Sequence, residues 1–204
     1  MTTSLTLYTN PMSRGRIARW MLEETGMPYD TQVVAFDQMK DAAYLAVNPM
    51  GKVPAVRHGD TVVTECAAIC AYLADAFPQA GLAPALADRA RYYRWMFFAA
   101  GPVEAAVTNR ALGFVVPDGQ QRMAGYGCYD DAIGTLEQAV SETDYIAGEN
   151  FSAADVYVGS QLAWGLQFGS IDKRPAFVDY VAKITARDAY RRANDLDNAA
   201  MKAA

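Results

Sequence analysis

Over the first 79 residues, short apolar runs alternate with segments whose apolar residues repeat at helical spacing. Leu5–Tyr8 is typical of a strand, and the apolar residues between Ser13 and Gly26 recur every three or four positions, as in an amphipathic helix. The same reasoning predicts a strand at 29–34, a short helix at 41–46, a hairpin from 54–57 and 61–64, and a helix at 65–77. The predicted order is β-α-β-α-β-β-α, an α/β unit.

The pattern changes at Pro78–Pro84, where small residues and two prolines indicate a connection between units. Beyond it we find no strand pattern, and Ser152–Asp155 has the form of a helix capping box. Helices are predicted at 88–99, 103–112, 120–140, 153–168 and 176–186, with breaks that include Gly101–Pro102. The sequence therefore predicts an α/β domain at 1–79, a linker at 80–86 and an all-helical domain at 87–204.

Composition limits the kinds of chemistry that this chain can perform. With 204 residues, 52% of them hydrophobic, it has the material for a substantial core. The net charge of -5 argues against nucleic acid as a partner. His58 is the single histidine of the sequence, which excludes a metal site with two histidines, and its neighbours favour a turn position.

The cysteine count and the amino terminus bear on location. Cys66, Cys70 and Cys128 are an odd and sparse set, which is unlike the disulfide framework of a secreted protein. The spacing of Cys66 and Cys70 favours two small buried side chains over a metal or redox pair. A basic leader and an 18-residue apolar run are both missing from the sequence. We therefore expect a cytoplasmic protein with no bound metal and no membrane association.

The first candidate for chemistry is the strand end and helix start Tyr8–Arg16. Ser13 falls at or near the helix N-cap, where free amides favour an anion and a hydroxyl can donate to it. Arg14 opposes the helix dipole in that first turn, which an anion would offset. The alternative is that Ser13 only caps the helix and the arginines form a solvated face, with Arg19 paired to Glu23.

The second candidate combines residues 48–55, Asn-Pro-Met-Gly-Lys-Val-Pro-Ala, with residues 65–69, Glu-Cys-Ala-Ala-Ile. Pro54 cannot donate to a ladder, so it belongs at a strand start and leaves the main chain of Val53 open to an extended peptide. Glu65 and Cys66 open the next helix, where a carboxylate and helix amides can bind the two charges of a zwitterion. Together these residues favour a small zwitterionic peptide as ligand.

Over nearly its whole length the chain resembles the soluble glutathione transferases, with a thioredoxin-like domain followed by an all-helical one. Residues 48–54 are similar to the family's N-P-x-G-x-V-P segment with its cis-proline, and residues 65–69 resemble its E-S-x-A-I segment. Residues 151–155 are similar to the helix-capping motif of the second domain. The start of the first helix looks like the serine-type arrangement, and the nearest relatives implied are bacterial.

The resemblance implies roles for individual residues. Val53 and Pro54 would pair with the cysteinyl part of glutathione, Glu65 and Cys66 would hold its γ-glutamyl end, and Lys52 would lie near its glycyl end. Cys66 stands where the family usually has serine, so the backbone contact is retained while the hydroxyl contact is lost. Ser13 falls at the catalytic position.

Resemblance and residues together predict how the thiol is activated. Ser13 would donate to the glutathione sulfur while Arg14 contributes positive field, with Arg16 a weaker candidate for that help. Tyr8 is an alternative contact to the sulfur, although a tyrosine on a strand more often packs in the core. No histidine, metal or cofactor is required besides glutathione as co-substrate.

The predicted activity is attack of a glutathione thiolate on a small hydrophobic electrophile, as in detoxification, by a cytosolic homodimer. Sixteen of the 23 aromatic residues follow Gln79, which favours the helical domain as the source of apolar contacts for the electrophile. The alternatives are a glutathione-dependent isomerase, dehalogenase or peroxidase on the same scaffold, or a binding protein that retains glutathione without activating it.

Overall fold

The computed structural model describes residues 4–203, apart from the side chain of Ala203. The chain forms two compact units. The first runs to Leu82 and resumes at Ala186, and the second is Ala83–Thr185. The last segment thus belongs to the first unit, whereas the sequence groups it with the helical domain; the division at 1–79, 80–86 and 87–204 stays a prediction.

The first unit has the predicted β-α-β-α-β-β-α order and is a thioredoxin-like domain. A 3-10 turn at Asp37–Lys40 precedes the second helix, and another at Pro78–Ala80 follows the third. The elements are β1 (Leu5–Thr9), α1 (Gly15–Thr25), β2 (Asp30–Val33), α2 (Ala42–Leu45), β3 (Ala55–His58), β4 (Thr61–Thr64) and α3 (Cys66–Ala76). The strand order is β2-β1-β3-β4, with β1 and β2 parallel and the other neighbours antiparallel.

Alternation along β1 separates the two faces of this sheet. Leu5 and Leu7 are buried with Val56, whereas Tyr8 projects to the opposite face and packs with Tyr44, at 6.1 Å between ring centroids. The helices α1 and α3 lie against each other and against the sheet. The predicted fold class is therefore confirmed in its first half, and it brings the starts of α1 and α3 close together.

A helix that the sequence analysis did not predict completes the first unit. α9 (Asp188–Ala203) packs along α1, with the rings of Trp20 and Tyr190 edge to face at 4.8 Å. Two arginines near the start of α9 pair with acidic side chains of α1. Arg187 forms a two-bond ion pair with Glu24, and Arg192 pairs with Glu23.

The second unit is helical, as predicted, and contains α4 (Ala90–Phe98), α5 (Glu104–Ala111), α6 (Tyr129–Glu142), α7 (Ala153–Phe168) and α8 (Pro175–Thr185). Two predictions need correction. The break at Gly101–Pro102 is a π-helical turn, Ala99–Val103, that carries α4 into α5. The helix predicted from Gln120 begins at Tyr129, because turns around Gly125 and Gly127 occupy the preceding residues.

The start of α7 has the predicted capping box. Asp155 accepts from the backbone N–H of Ser152 at 2.9 Å, and also from the Ser152 hydroxyl. Across residues 4–203, no helix combines the length and the apolar character needed to cross a membrane.

Candidate functional site

The turn that precedes α1 holds the hydroxyl group of Ser13. Its Oγ donates to the carbonyl oxygen of Asn10 at 2.6 Å and accepts from the N–H of Gly15 at 3.0 Å. Gly15 is required here, because a Cβ on it would lie 1.8 Å from Oγ1 of Thr9. A hydroxyl therefore lies at the start of a helix, where the helix dipole favours an anion.

Asn10 organises this turn, a role that the sequence analysis missed. Its side chain is buried, donates to the carbonyl oxygen of Val34 at 3.0 Å and accepts from the N–H of Met12 at 3.0 Å. The signal was present, because an asparagine before proline commonly accepts from the backbone two residues on. Asn10 thus joins the Ser13 turn to the chain that follows β2.

The three arginines of this region lie in different environments. Arg14 is exposed at the cap position of α1, and Arg16 is half-buried. Arg19 is buried and donates to Asp197 of α9 at 2.8 Å, with further bonds to Tyr29 and Thr31. The expected pairing of Arg19 with Glu23 is therefore wrong, because Arg19 pairs with Asp197 of α9 instead.

The segment before β3 is fixed by buried polar groups. The carbonyl oxygen of Lys52 accepts from the Tyr44 hydroxyl and from Nδ2 of Asn48, each at 2.7 Å. Burial raises the pKa of Tyr44 to about 12, so its hydroxyl remains a donor at neutral pH. Gly51 has φ of +59°, and a Cβ there would come within 2.5 Å of the Met39 carbonyl oxygen.

The main chain of Val53 lies just outside the sheet. The Val53–Pro54 peptide is cis, and the β1–β3 ladder begins at Ala55, which pairs with Tyr8. Val53 therefore precedes the first paired residue of β3, as expected for a main chain that an extended ligand can contact. The side chain of Lys52 is exposed beside it.

Glu65 and Cys66 begin α3 in an unusual backbone geometry. Glu65 has φ of +65°, a left-handed conformation found at no other non-glycine residue among those described. Such conformations cost free energy in a residue with a side chain and cluster at functional sites. The Glu65 side chain is exposed, whereas Cys66 is buried. Its Sγ lies 3.6 Å from the carbonyl oxygen of Arg14, which brings the starts of α3 and α1 together.

The structure therefore joins Arg14 to Cys66 directly, and it places Ser13 one residue from that contact. Tyr8 is directed to the other face of the sheet, into the cluster with Tyr44. His58 ends β3, and its Nδ1 lies 2.9 Å from the hydroxyl of Tyr72.

The cysteines form no disulfide bonds with one another. Cys66, Cys70 and Cys128 are all free thiols, and burial raises the pKa of Cys70 well above its ordinary value. Within residues 4–203, no three histidine, cysteine or acidic side chains are grouped so as to hold a metal ion.

Comparison with known proteins identifies relatives of this chain. Residues 12–76 match the family model for the glutathione S-transferase N-terminal domain. Glutathione S-transferase A of Pleuronectes platessa is 26% identical over 180 residues, which cover 82% of this chain and 80% of that protein.

Solved structures extend the similarity to both units. A glutathione transferase from Methylococcus capsulatus has a TM-score of 0.79 and 26% identity, with 95% of this chain and 98% of that chain covered. A sphingomonad glutathione S-transferase complexed with glutathione has a TM-score of 0.77 and 30% identity, with the same coverage of each chain.

Proposed function

Because the chain belongs to the glutathione S-transferase family and is an enzyme of that kind, we propose that it activates glutathione as a thiolate for attack on small hydrophobic electrophiles. The observation that carries this proposal is the 3.6 Å contact between Cys66 Sγ and the Arg14 carbonyl oxygen. It brings the helix start that bears Ser13 next to the helix start that bears Glu65. The positive ends of two helix dipoles thus lie close together, which suits an anionic peptide.

In this proposal, Ser13 is the donor to the sulfur. A hydroxyl has one proton, and in the structure that proton is directed at the Asn10 carbonyl oxygen. Rotation about the Cβ–Oγ bond would transfer the donation to a thiolate while the N–H of Gly15 continues to donate to Oγ. The Gly15 bond polarises the hydroxyl and strengthens its donation.

The required stabilisation is modest. A free thiol with a pKa of about 8.5 is roughly 3% ionised at pH 7, and lowering its pKa by about two units corresponds to about 2.7 kcal/mol. A hydroxyl donor, a helix N-terminus and the positive field of Arg14 can together supply that amount. Arg16 contributes less directly, since its guanidinium is bound by the Pro11 carbonyl oxygen and by α9.

We assign the rest of glutathione to the residues around β3 and α3. The main chain of Val53, before Pro54, would pair with the cysteinyl part, with Lys52 at the glycyl carboxylate. The exposed Glu65 carboxylate would bind the γ-glutamyl ammonium, and the backbone amide of Cys66 its carboxylate. The exposure of Lys52 and Glu65 and the position of Val53 outside the ladder support this assignment.

The test of thiol activation is Ser13→Ala, with the ultraviolet difference spectrum of bound glutathione followed against pH. We expect the pKa of the bound thiol to rise by about one unit and kcat near pH 6.5 to fall about tenfold, with KM for glutathione changed by less than about threefold. Ser141→Ala, at a surface serine of the second unit, is the control. A thiol pKa that is the same in the wild type, the variant and free solution would mean that glutathione is bound without being activated.

The proposed electrophile is small and hydrophobic. Large apolar side chains are exposed on the second unit, among them Phe97, Leu112, Phe114 and Phe168. They support a hydrophobic co-substrate. A panel of an aryl halide, an alkyl halide, a hydroperoxide and an isomerisable unsaturated acid, each with glutathione, separates transferase, dehalogenase, peroxidase and isomerase activities.

The remaining expectations also stand as proposals. We propose a cytoplasmic, serine-type enzyme of bacterial kind that functions as a homodimer in detoxification. Light scattering of the purified protein tests the dimer, since a monomeric mass at micromolar concentration would contradict it.

A further inference from the structure

The guanidinium group of Arg16 connects the Ser13 turn to the C-terminal helix. Its Nε donates to the Pro11 carbonyl oxygen at 2.6 Å, a short bond from a charged donor. On the other side, Nη1 donates to Oδ1 of Asn194 at 3.1 Å and Nη2 to Oδ1 of Asn198 at 2.9 Å. One side chain thus joins the turn before α1 to two successive turns of α9.

The turn has two supports from outside itself. Asn10 ties its beginning to Val34, and Arg16 ties the following carbonyl group, that of Pro11, to α9. The Ser13 hydroxyl is bonded to the carbonyl oxygen of Asn10, so a rotation of the Asn10–Pro11 peptides would move Oγ directly. Displacement of a reacting group by about 1 Å can lower a rate by about a hundredfold.

Anchoring of α9 does not depend on Arg16. Arg19–Asp197 and Arg187–Glu24 bind α9 to α1, and Trp20 packs against Tyr190. The attachment of α9 therefore does not require Asn194 and Asn198, and their contacts with Arg16 orient its guanidinium group. Their side-chain oxygens are neutral acceptors, so they orient the guanidinium without forming an ion pair with it.

We propose that Asn194 and Asn198 of α9 are positioning residues for the active-site turn, which they hold through Arg16. This inference rests on the proposed function, because the turn matters through the Ser13 hydroxyl. It makes α9 a functional part of the glutathione-binding unit although the chain reaches it last.

The experiment is the double variant Asn194→Ala, Asn198→Ala, in the full-length protein. Alanine is a better helix former than asparagine, so α9 should be retained. Hydrogen–deuterium exchange of the 10–16 segment reports the order of the turn independently of chemistry, and we expect it to be about fivefold faster or more. The pKa of bound glutathione should rise by about half a unit and kcat near pH 6.5 should fall about threefold, with KM changed by less than about twofold.

Two further variants separate positioning from other effects. Arg191→Ala, on the surface of α9, removes the Arg191–Asp188 pair. It should leave the exchange of residues 10–16 and the pKa of bound glutathione unchanged. Arg16→Lys keeps the charge but loses the planar fork, so it should reproduce the double variant if geometry matters. If Arg16→Lys retains the activity and the hydrogen–deuterium exchange rate of the wild type, only the charge of Arg16 matters. That result would overturn the proposal.

The outcomes also separate this proposal from the proposed function. Unchanged exchange and unchanged thiol pKa in the double variant would overturn the positioning role. Faster exchange in the variant, together with an ordinary thiol pKa already in the wild type, would instead overturn thiol activation by Ser13 and leave the positioning of the turn established.

Discussion

Each of the two units contains a buried carboxylate, and the two are held in different ways. In the second unit, Asp155 accepts from four neutral donors: the N–H and hydroxyl of Ser152, the N–H of Ile146 and the hydroxyl of Tyr180. In the first unit, Asp197 accepts from Arg19 through Oδ1, while its buried Oδ2 has no hydrogen-bond partner within residues 4–203.

The difference lies in what each carboxylate organises. Ser152 lies only three residues before Asp155, and the contact between them begins α7. Ile146 and Tyr180 donate to the same carboxylate. The Arg19–Asp197 pair spans 178 residues and attaches the end of the chain to α1. Dipoles can satisfy a buried charge completely, whereas a single opposite charge leaves part of it unsolvated.

The largest effect is expected from Asp155→Ala. The change leaves several buried donors without an acceptor, so we expect a loss of about 4 kcal/mol in the free energy of unfolding. Urea denaturation of the purified variant measures it. Asp155→Asn should recover part of the loss because an amide oxygen still accepts, and a loss below about 1 kcal/mol in both variants would show that the network is unimportant.

The next effect is expected from Arg19→Met. It leaves the buried carboxylate of Asp197 without a counter-charge, so we expect a loss of about 3 kcal/mol by the same measurement. The double variant Arg19→Met, Asp197→Leu removes both charges and should be more stable than Arg19→Met. If the double variant is the less stable one, the pair itself is the source of the stability of the α1–α9 contact.

A smaller effect should appear in the pH dependence of stability. Burial raises the pKa of Asp197 despite the opposing effect of Arg19, and burial also raises that of Asp155. The folded state then holds a proton that the unfolded state has already lost, so stability falls as pH rises from about 3.9 towards the raised pKa. Over this pH range, the free energy of unfolding of the wild type should fall further than that of Asp197→Asn. The difference is up to about 1.4 kcal/mol for each unit by which the pKa of Asp197 is raised.

Urea denaturation at several pH values between about 4 and 6 measures this difference in slope. A wild type that gains stability relative to the variant over that interval would mean that Arg19 outweighs burial and lowers the pKa of Asp197.

The smallest effect is expected from Arg187→Lys. Arg187 donates two bonds of 2.7 Å to the nearly buried Glu24, and lysine cannot match this fork. We expect a loss of about 1 kcal/mol, measured by urea denaturation. Arg191→Ala, which removes an exposed pair with Asp188, is the control and should cost about 0.5 kcal/mol or less. Equal effects would contradict the view that specific ion pairs attach α9.

Prediction from the sequence succeeded where the information is local. The strands, the first-unit helices and the Ser152–Asp155 box depend on neighbours within a few residues, and each was found at its expected place. The segment before Pro54 and the start of α3 were singled out because their motifs are contiguous. Gln120–Cys128 was assigned to a helix wrongly, because its glycines were outweighed by the periodicity that follows.

Long-range contacts could not be predicted in this way. Nothing near Arg16 or Arg19 in the sequence specifies that their partners lie about 180 residues later. The same holds for the contact of Cys66 with Arg14, which depends on how α1 and α3 pack on the sheet.

The sequence alone therefore determined the order of the elements, the motifs that point to glutathione and the candidate hydroxyl of Ser13, because these depend on spacing along the chain. Tertiary structure decided that Tyr8 lies on the face of the sheet opposite Leu5 and Leu7, and that Asn10 organises the turn that bears Ser13. It also decided that α9 packs back on α1, where it binds Arg16 and Arg19. The physical reason is that burial, charge pairing and the direction of a side chain are set by which distant segments pack together.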